Sequence, residues 1–174
     1  MSETSKYRHL TNKYCVGNGV DIGSGGDPVV PWAIQVDLSD ESYARYNSNQ
    51  APRGPIQWRS DDVVWNLPFK RQSLDFVYSS HLIEDFLDWK PILFEWTRVL
   101  RPGGNLVILL PDKELWNEAI RRGQPPNCAH QHESFAGELS LYAKNLDNLK
   151  VIEDRCTNCF PGDYNILFAA QKLP

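Results

Sequence analysis

An apolar run from Val16 to Ile22 stops abruptly at Gly23-Ser24-Gly25-Gly26, followed by Asp27-Pro28. A strand that ends in glycines turns sharply and lets its backbone approach a ligand, because no Cβ intervenes. A second short apolar run, Trp32-Ala33-Ile34-Gln35-Val36, ends at Asp37. A glycine turn after one strand and a carboxylate after the next is how an α/β sheet holds a nucleoside. The glycines pass under the ligand, and the carboxylate accepts hydrogen bonds from the ribose hydroxyls.

The link between the two runs is short and contains Pro28 and Pro31. A parallel crossover usually takes a dozen or more residues with a helix. The first crossover helix is therefore expected to be one turn or absent, with Pro28 to Pro31 extended or tightly turned. Downstream, Ser39 reads as the N-cap of a short polar helix. Ile56-Gln57-Trp58 reads as a brief third strand, and Leu74 to Tyr78 as a fourth that runs into Ser79-Ser80-His81. Leu82 to Leu87 reads as a short helix. Pro91 suits the first turn of a clearer helix, with Ile92, Leu93, Trp96, Val99 and Leu100 at helical spacing. Arg101-Pro102-Gly103-Gly104 ends it, and Asn105 to Leu110 reads as a strand buried on both faces. A helix follows Pro111-Asp112 through Arg122. Ser134 caps another, with Leu139, Tyr142, Ala143 and Leu146 on one face. Leu149 to Ile152 and Tyr164 to Ala170 close the pattern as strands linked through Pro161-Gly162-Asp163. Strands alternating with helices and closed by a hairpin give an α/β parallel sheet with one antiparallel strand near an edge. Residues 1–14 form either a short helix or an arm over the site.

Bulk properties narrow the function. The length of 174 residues fits a single domain. A net charge of −4 supplies no basic field for a phosphate backbone, so no nucleic-acid partner is expected. No apolar run reaches spanning length and the first residues are polar, so the expected location is the cytoplasm, without membrane contact. Four irregularly spaced cysteines do not read as a disulfide framework, and most of them are expected to be free thiols. Cys156-x-x-Cys159 with Cys128, His130 and His132 raises a zinc site. Their spacing is not a usual ligand pattern, and no metal is expected.

The order Val20-Asp21-Ile22-Gly23-Ser24-Gly25-Gly26, Val36-Asp37, Asn66-Leu67-Pro68-Phe69, Ser73-Leu74-Asp75-Phe76-Val77, Ser79-Ser80-His81-Leu82-Ile83-Glu84 and Arg98-Val99-Leu100-Arg101-Pro102-Gly103-Gly104 resembles class I S-adenosylmethionine-dependent methyltransferases. The similarity is to the compact branch with a short glycine–proline crossover. It covers Val16 to Asp112 strongly and the rest weakly. The resemblance implies a Rossmann-like parallel sheet of seven strands with the last strand antiparallel. It also implies that S-adenosylmethionine, with S-adenosylhomocysteine as product, lies across the carboxyl ends of the first strands. Carried over by position, Asp21, Gly23, Ser24 and Gly25 sit beside the methionine part. Asp37 and Leu38 lie at the ribose, Asp62 or Val63 at the adenine edge, and Ser79, Ser80 and His81 near the sulfonium. The family often carries a histidine after the glutamate matched by Glu84; here the residue is Asp85.

Methyl transfer from a sulfonium is an in-line displacement that gains most from alignment and exclusion of water. If the acceptor must lose a proton early, His81, Glu84, Asp112, His130 and His132 are base candidates. His81 is favoured and Asp112 comes second. The expected acceptor is a small molecule or sugar, methylated at oxygen in preference to nitrogen or carbon. Large acceptor-binding insertions are absent, so the acceptor is small or a second subunit, homo-oligomeric or not, completes the site. One alternative is a non-catalytic module that binds an adenosyl ligand. Another is a nicotinamide-dependent oxidoreductase, which needs a third glycine near a crossover helix where Pro28 stands instead.

Overall fold

The computed structural model describes residues 2–47, 50–146 and 148–174. Its seven strands are β1 (Gly19–Ile22), β2 (Ile34–Asp37), β3 (Trp58–Arg59), β4 (Leu74–Ser80), β5 (Leu100–Pro111), β6 (Leu149–Cys156) and β7 (Asn165–Lys172). They form one sheet in the order β3-β2-β1-β4-β5-β7-β6. The strands β1 to β5 pair in parallel, and β7 runs antiparallel to both β5 and β6. The expected Rossmann-like α/β sheet with its last strand reversed is therefore present.

Side chains alternate between the faces of a strand. Val77 of β4 and Leu106 and Ile108 of β5 enter one core, which also holds Ile92, Leu93 and Trp96 of α3 (Lys90–Val99). Leu139 and Ala143 of α5 (Glu138–Ala143) join it. Phe76 and Tyr78 of β4 and Val107 of β5 enter a second core on the other face, with Cys15, Val29, Val30 and Ala33.

No helix lies between β1 and β2. Val29, Val30 and Ala33 of this link are buried in the place a helix would take. The link is held from outside by α1 (Glu3–Thr11), whose Arg8 guanidinium donates to Asp27, Pro28 O and Val29 O. The hydroxyls of Ser2 and Ser5 also donate to Asp27. The first residues thus form a helix, continued by a 3-10 turn at Asn12–Tyr14, that packs on the second core.

Several boundaries differ from the sequence reading. β1 starts at Gly19, because Val16 is exposed and Asn18 N–H donates to the Asp75 carboxylate. β3 is only Trp58–Arg59, and Leu82 to Leu87 shrinks to a 3-10 turn at Ile83–Asp85. Arg101 to Gly104 does not separate helix from strand. Leu100 pairs with Leu74 and Asn105 with Phe76, so the four residues between bulge from the ladder. Of the remaining helices, α2 spans Asp40–Tyr46, capped by Ser39 as expected, and α4 spans Lys113–Arg121.

Candidate active site

A cavity of about 420 Å³ opens at the carboxyl ends of β1, β2 and β4, lined among others by Gly23, Asp37, Val63, His81 and Asp85. β1 has β2 on one side and β4 on the other, and such a switch point is where open α/β sheets bind ligands. Gly23 and Gly25 turn the chain there with φ of +73° and +57°. A Cβ on Gly23 would stand 3.0 Å from Leu82 Cδ2 across the mouth of the turn. Gly26 serves packing instead, because a Cβ there would meet the Gly54 backbone nitrogen at 2.2 Å.

Asp37 is buried at the end of β2. Its Oδ2 accepts from Gly25 N–H and its Oδ1 from Leu38 N–H, both at 2.9 Å. Burial raises its pKa against these two bonds. Each oxygen keeps a further lone pair for a ligand hydroxyl. Leu38, Val63 and Val64 supply an apolar shelf beside it. Glycine turn, carboxylate and shelf together fit a nucleoside. Asp21 lies deeper, off the cavity lining. Its Oδ2 accepts from Val29 N–H at 2.7 Å, while its Oδ1 is buried without a partner. Burial drives its pKa well above the ordinary carboxylate value.

The opposite wall follows β4. Ser79 Oγ donates to Ile22 O and ties β4 to β1, and the Ser80 hydroxyl is buried without a partner. His81 then takes a φ of +52° and turns into the cavity. Its Nε2 lies 2.7 Å from Asn165 Oδ1. The Asn165 amide nitrogen donates to the Tyr7 hydroxyl at 2.7 Å, and that hydroxyl donates to Asp163 at 2.5 Å. This chain leaves Asn165 an acceptor toward His81, so Nε2 carries hydrogen. The other ring nitrogen, Nδ1, lies 3.3 Å from Glu84 Oε1. Burial alone would lower the His81 pKa. The hydrogen bond to Glu84 and its charge, with Glu3 and Asn165, outweigh burial and raise it. His81 thus meets Asn165 with Nε2 and faces the Glu84 carboxylate with Nδ1, inside the cavity where the base candidate was expected.

Asp85 shares this wall and is buried. The Tyr46 hydroxyl of α2 donates to its Oδ2, and its Oδ1 has no partner. Burial first, helped by the Glu84 charge and opposed by Tyr46 and His81, raises its pKa to about 6.

Other candidates stand elsewhere. Asp112 lies off this cavity and caps α4. Its Oδ1 accepts from Glu114 N–H and Leu115 N–H at 3.1 Å, and its Oδ2 from Ala136 N–H at 3.3 Å. Asp62 is exposed and occupied by Ser60, while its neighbour Asp61 lines the cavity and takes the Ser39 hydroxyl at 2.6 Å. The Ser24 hydroxyl turns away to Gln35. His130 and Trp116 line a separate recess of about 170 Å³, and His132 pairs with Glu138 at 2.9 Å. Among the described residues no group of three or more His, Cys, Asp or Glu is arranged to hold a metal ion, and no helix is long and apolar enough to cross a membrane. All four thiols are free. Sequence reasoning passed over Tyr46 and Asp85. The one signal was Asp85 itself, standing where the resembling family often has histidine.

Residues 20–108, just over half of the chain, match the family model described as a methyltransferase domain. No curated protein matches in sequence. Among solved structures, an S-adenosylmethionine-dependent methyltransferase from Mesorhizobium loti is 16% identical over 97% of this chain and 96% of its own, with a TM-score of 0.67. One from Aquifex aeolicus is 16% identical over 99% and 100%, with a TM-score of 0.59. The Haloferax volcanii protein solved in complex with the Trm112 methyltransferase activator is 18% identical over 98% and 89%, with a TM-score of 0.62. At these identities the likeness establishes the shared fold.

Proposed function

Because the chain belongs to the methyltransferase-domain family and is an S-adenosylmethionine-dependent enzyme, we propose that it methylates a hydroxyl oxygen of a small, sugar-like acceptor. The cofactor supplies an electrophilic methyl group on a sulfonium. The chain supplies placement. The Gly23 to Gly25 backbone passes under the ligand, Asp37 accepts from the ribose hydroxyls, and Leu38, Val63 and Val64 cover the adenine. Asp37 at the glycine turn is the observation that carries this assignment.

The acceptor class is supported by the lining. Asp37, Asp61 and Asp85 face the cavity, and no Lys or Arg is among its described lining residues. An acidic acceptor would meet like charge there, whereas a neutral polyol meets hydrogen-bond acceptors. Asp112 is not assigned as a base, because it lies off the cavity and caps α4. His81 lines the cavity and shapes the wall after β4, with its Nε2 against Asn165. The free thiols suit a reducing compartment, and we place the enzyme in the cytoplasm. A partner subunit is a further part of this reading, supported by the activator bound to the Haloferax volcanii protein.

Calorimetric titration with S-adenosylmethionine, S-adenosylhomocysteine and NAD tests the cofactor site, followed by a methylation panel of sugars, phenols and amines. The adenosyl ligands are expected to bind and a hydroxyl compound to be methylated. Binding of NAD alone ends the reading. Tight adenosyl binding with no turnover on the panel favours a non-catalytic module.

A further inference from the structure

Three carboxylates face the cavity, and they differ in what their oxygens meet. Asp37 is met by two backbone amides, and Asp61 by the hydroxyl and amide of Ser39. Asp85 is met on one oxygen by Tyr46, while Oδ1 is buried and has no donor. An unmet buried carboxylate oxygen costs free energy, and such atoms in native structures call for a partner. The neighbours do not supply one. His81 meets Asn165 with Nε2 and faces Glu84 with Nδ1 at 3.3 Å, and Tyr46 is already bonded to the other oxygen.

The place of Asp85 in the fold narrows what that partner is. Asp37 follows β2, Gly23 follows β1, and Asp85 lies on the turn after β4. Asp37 and Asp85 line the same cavity, and the cofactor reading puts the ribose at Asp37 and the group on its 5′ carbon beside the residues after β4. The wall after β4 therefore meets whatever the 5′ carbon carries. In S-adenosylmethionine that is a sulfonium, and in S-adenosylhomocysteine a neutral thioether.

We propose that Asp85 is the residue by which this site recognises the sulfonium charge and so prefers the methyl donor over the demethylated product. The inference rests on the cofactor reading above and adds a specificity-determining residue to it. On transfer of the methyl group to the acceptor oxygen, the carbon–sulfur bond pair would stay on sulfur and cancel its charge, and the acceptor's hydroxyl proton would leave to solvent. Asp85 then loses its partner, and the site's hold on the product weakens.

The groups facing Asp85 are Tyr46 from α2, its neighbour Glu84 and His81, with Asp37 and Asp61 also lining the cavity. Since the carboxyl titrates at about 6, the preference is expected to be full above that pH and to fade below it.

The experiment is calorimetric titration of both ligands between about pH 5 and pH 8 for wild type, Asp85→Asn, Asp85→Glu and Tyr46→Phe. The ratio of the two affinities isolates the charge, because the adenosine and amino-acid parts are common to both. Wild type is expected to bind S-adenosylmethionine more tightly at neutral pH. Asp85→Asn keeps an acceptor for Tyr46 and is expected to cut the ratio about tenfold, as for one screened charge pair. Asp85→Glu restores part of it. Tyr46→Phe removes a bond that stabilises the carboxylate, so the loss of preference moves to higher pH. That shift decides the matter should Asp85→Asn not fold. A wild-type ratio in Asp85→Asn, or a ratio flat across pH in wild type, overturns the inference. Failure of wild type to bind either ligand overturns the cofactor reading, and this inference with it.

Discussion

Asp37 and Asp21 are both buried carboxylates at the ends of parallel strands, and their surroundings give them opposite consequences. Asp37 receives two amides and faces the cavity, so its removal is felt by the ligand. Charge-assisted bonds are worth roughly 1.5–3 kcal/mol each. Asp37→Ala is therefore expected to weaken S-adenosylhomocysteine binding about tenfold or more by calorimetry. An unchanged affinity would remove Asp37 from the site. Asp21 is felt by the fold, because one of its oxygens is buried and unmet. Its folded pKa lies above the unfolded value of 3.8. The stability it contributes is complete below that value and is lost as pH rises through the folded pKa. Asp21→Asn keeps an acceptor for Val29 N–H and cannot ionise. It is expected to melt above wild type at pH 8, by about 2–4 °C per kcal/mol recovered, with the gap closing toward about pH 4. At this scale the sequence marked Gly23 and Asp37 correctly as cavity residues, since strand ends and glycines are local signals. It chose Asp62 over Asp61 because nothing local distinguishes adjacent aspartates. Asp61 faces the cavity through its bond to Ser39, and the Tyr46–Asp85 contact likewise joins residues distant in sequence.

Helix α4 shows how an element can claim a residue that looks catalytic. Asp112 leaves a strand at the ligand-binding edge of the sheet, which made it a candidate base. Its carboxylate instead takes two amides in the first turn of α4 and the Ala136 amide beyond. Asp112→Ala removes a cap worth about 0.5–2 kcal/mol and orphans Ala136 N–H. Urea unfolding is expected to show a lower midpoint, with S-adenosylhomocysteine affinity close to wild type. A collapse of affinity in a folded Asp112→Ala protein would return the residue to the site. Elements with long, regular patterns were legible: α3 follows its apolar spacing, and β5 its continuous apolar run. Short ones were not. Val16 is apolar yet exposed, so the start of β1 was set too early, and the β3 pairing rests on two residues whose pattern is no signal at all.

On the scale of the whole molecule, α1 replaces the support that a crossover helix would give the glycine turn. Arg8 holds Asp27, Pro28 and Val29, and Val29 in turn holds Asp21. Arg8→Ala is expected to speed amide hydrogen exchange in residues 23–29 and to weaken S-adenosylhomocysteine binding severalfold, through a more mobile turn. Unchanged exchange there would show that the link is rigid by itself. The sequence left α1 undecided between helix and arm because its anchors are distant. Tyr7 bonds Asp163, 156 residues away, and receives Asn165, 158 residues away. Contacts of such separation close large loops and form late. During synthesis, β1 to β5 can assemble while β7 is still within the ribosome. His81 then still lacks the asparagine that meets its ring. The wall after β4 is therefore completed only after β7 has joined the sheet.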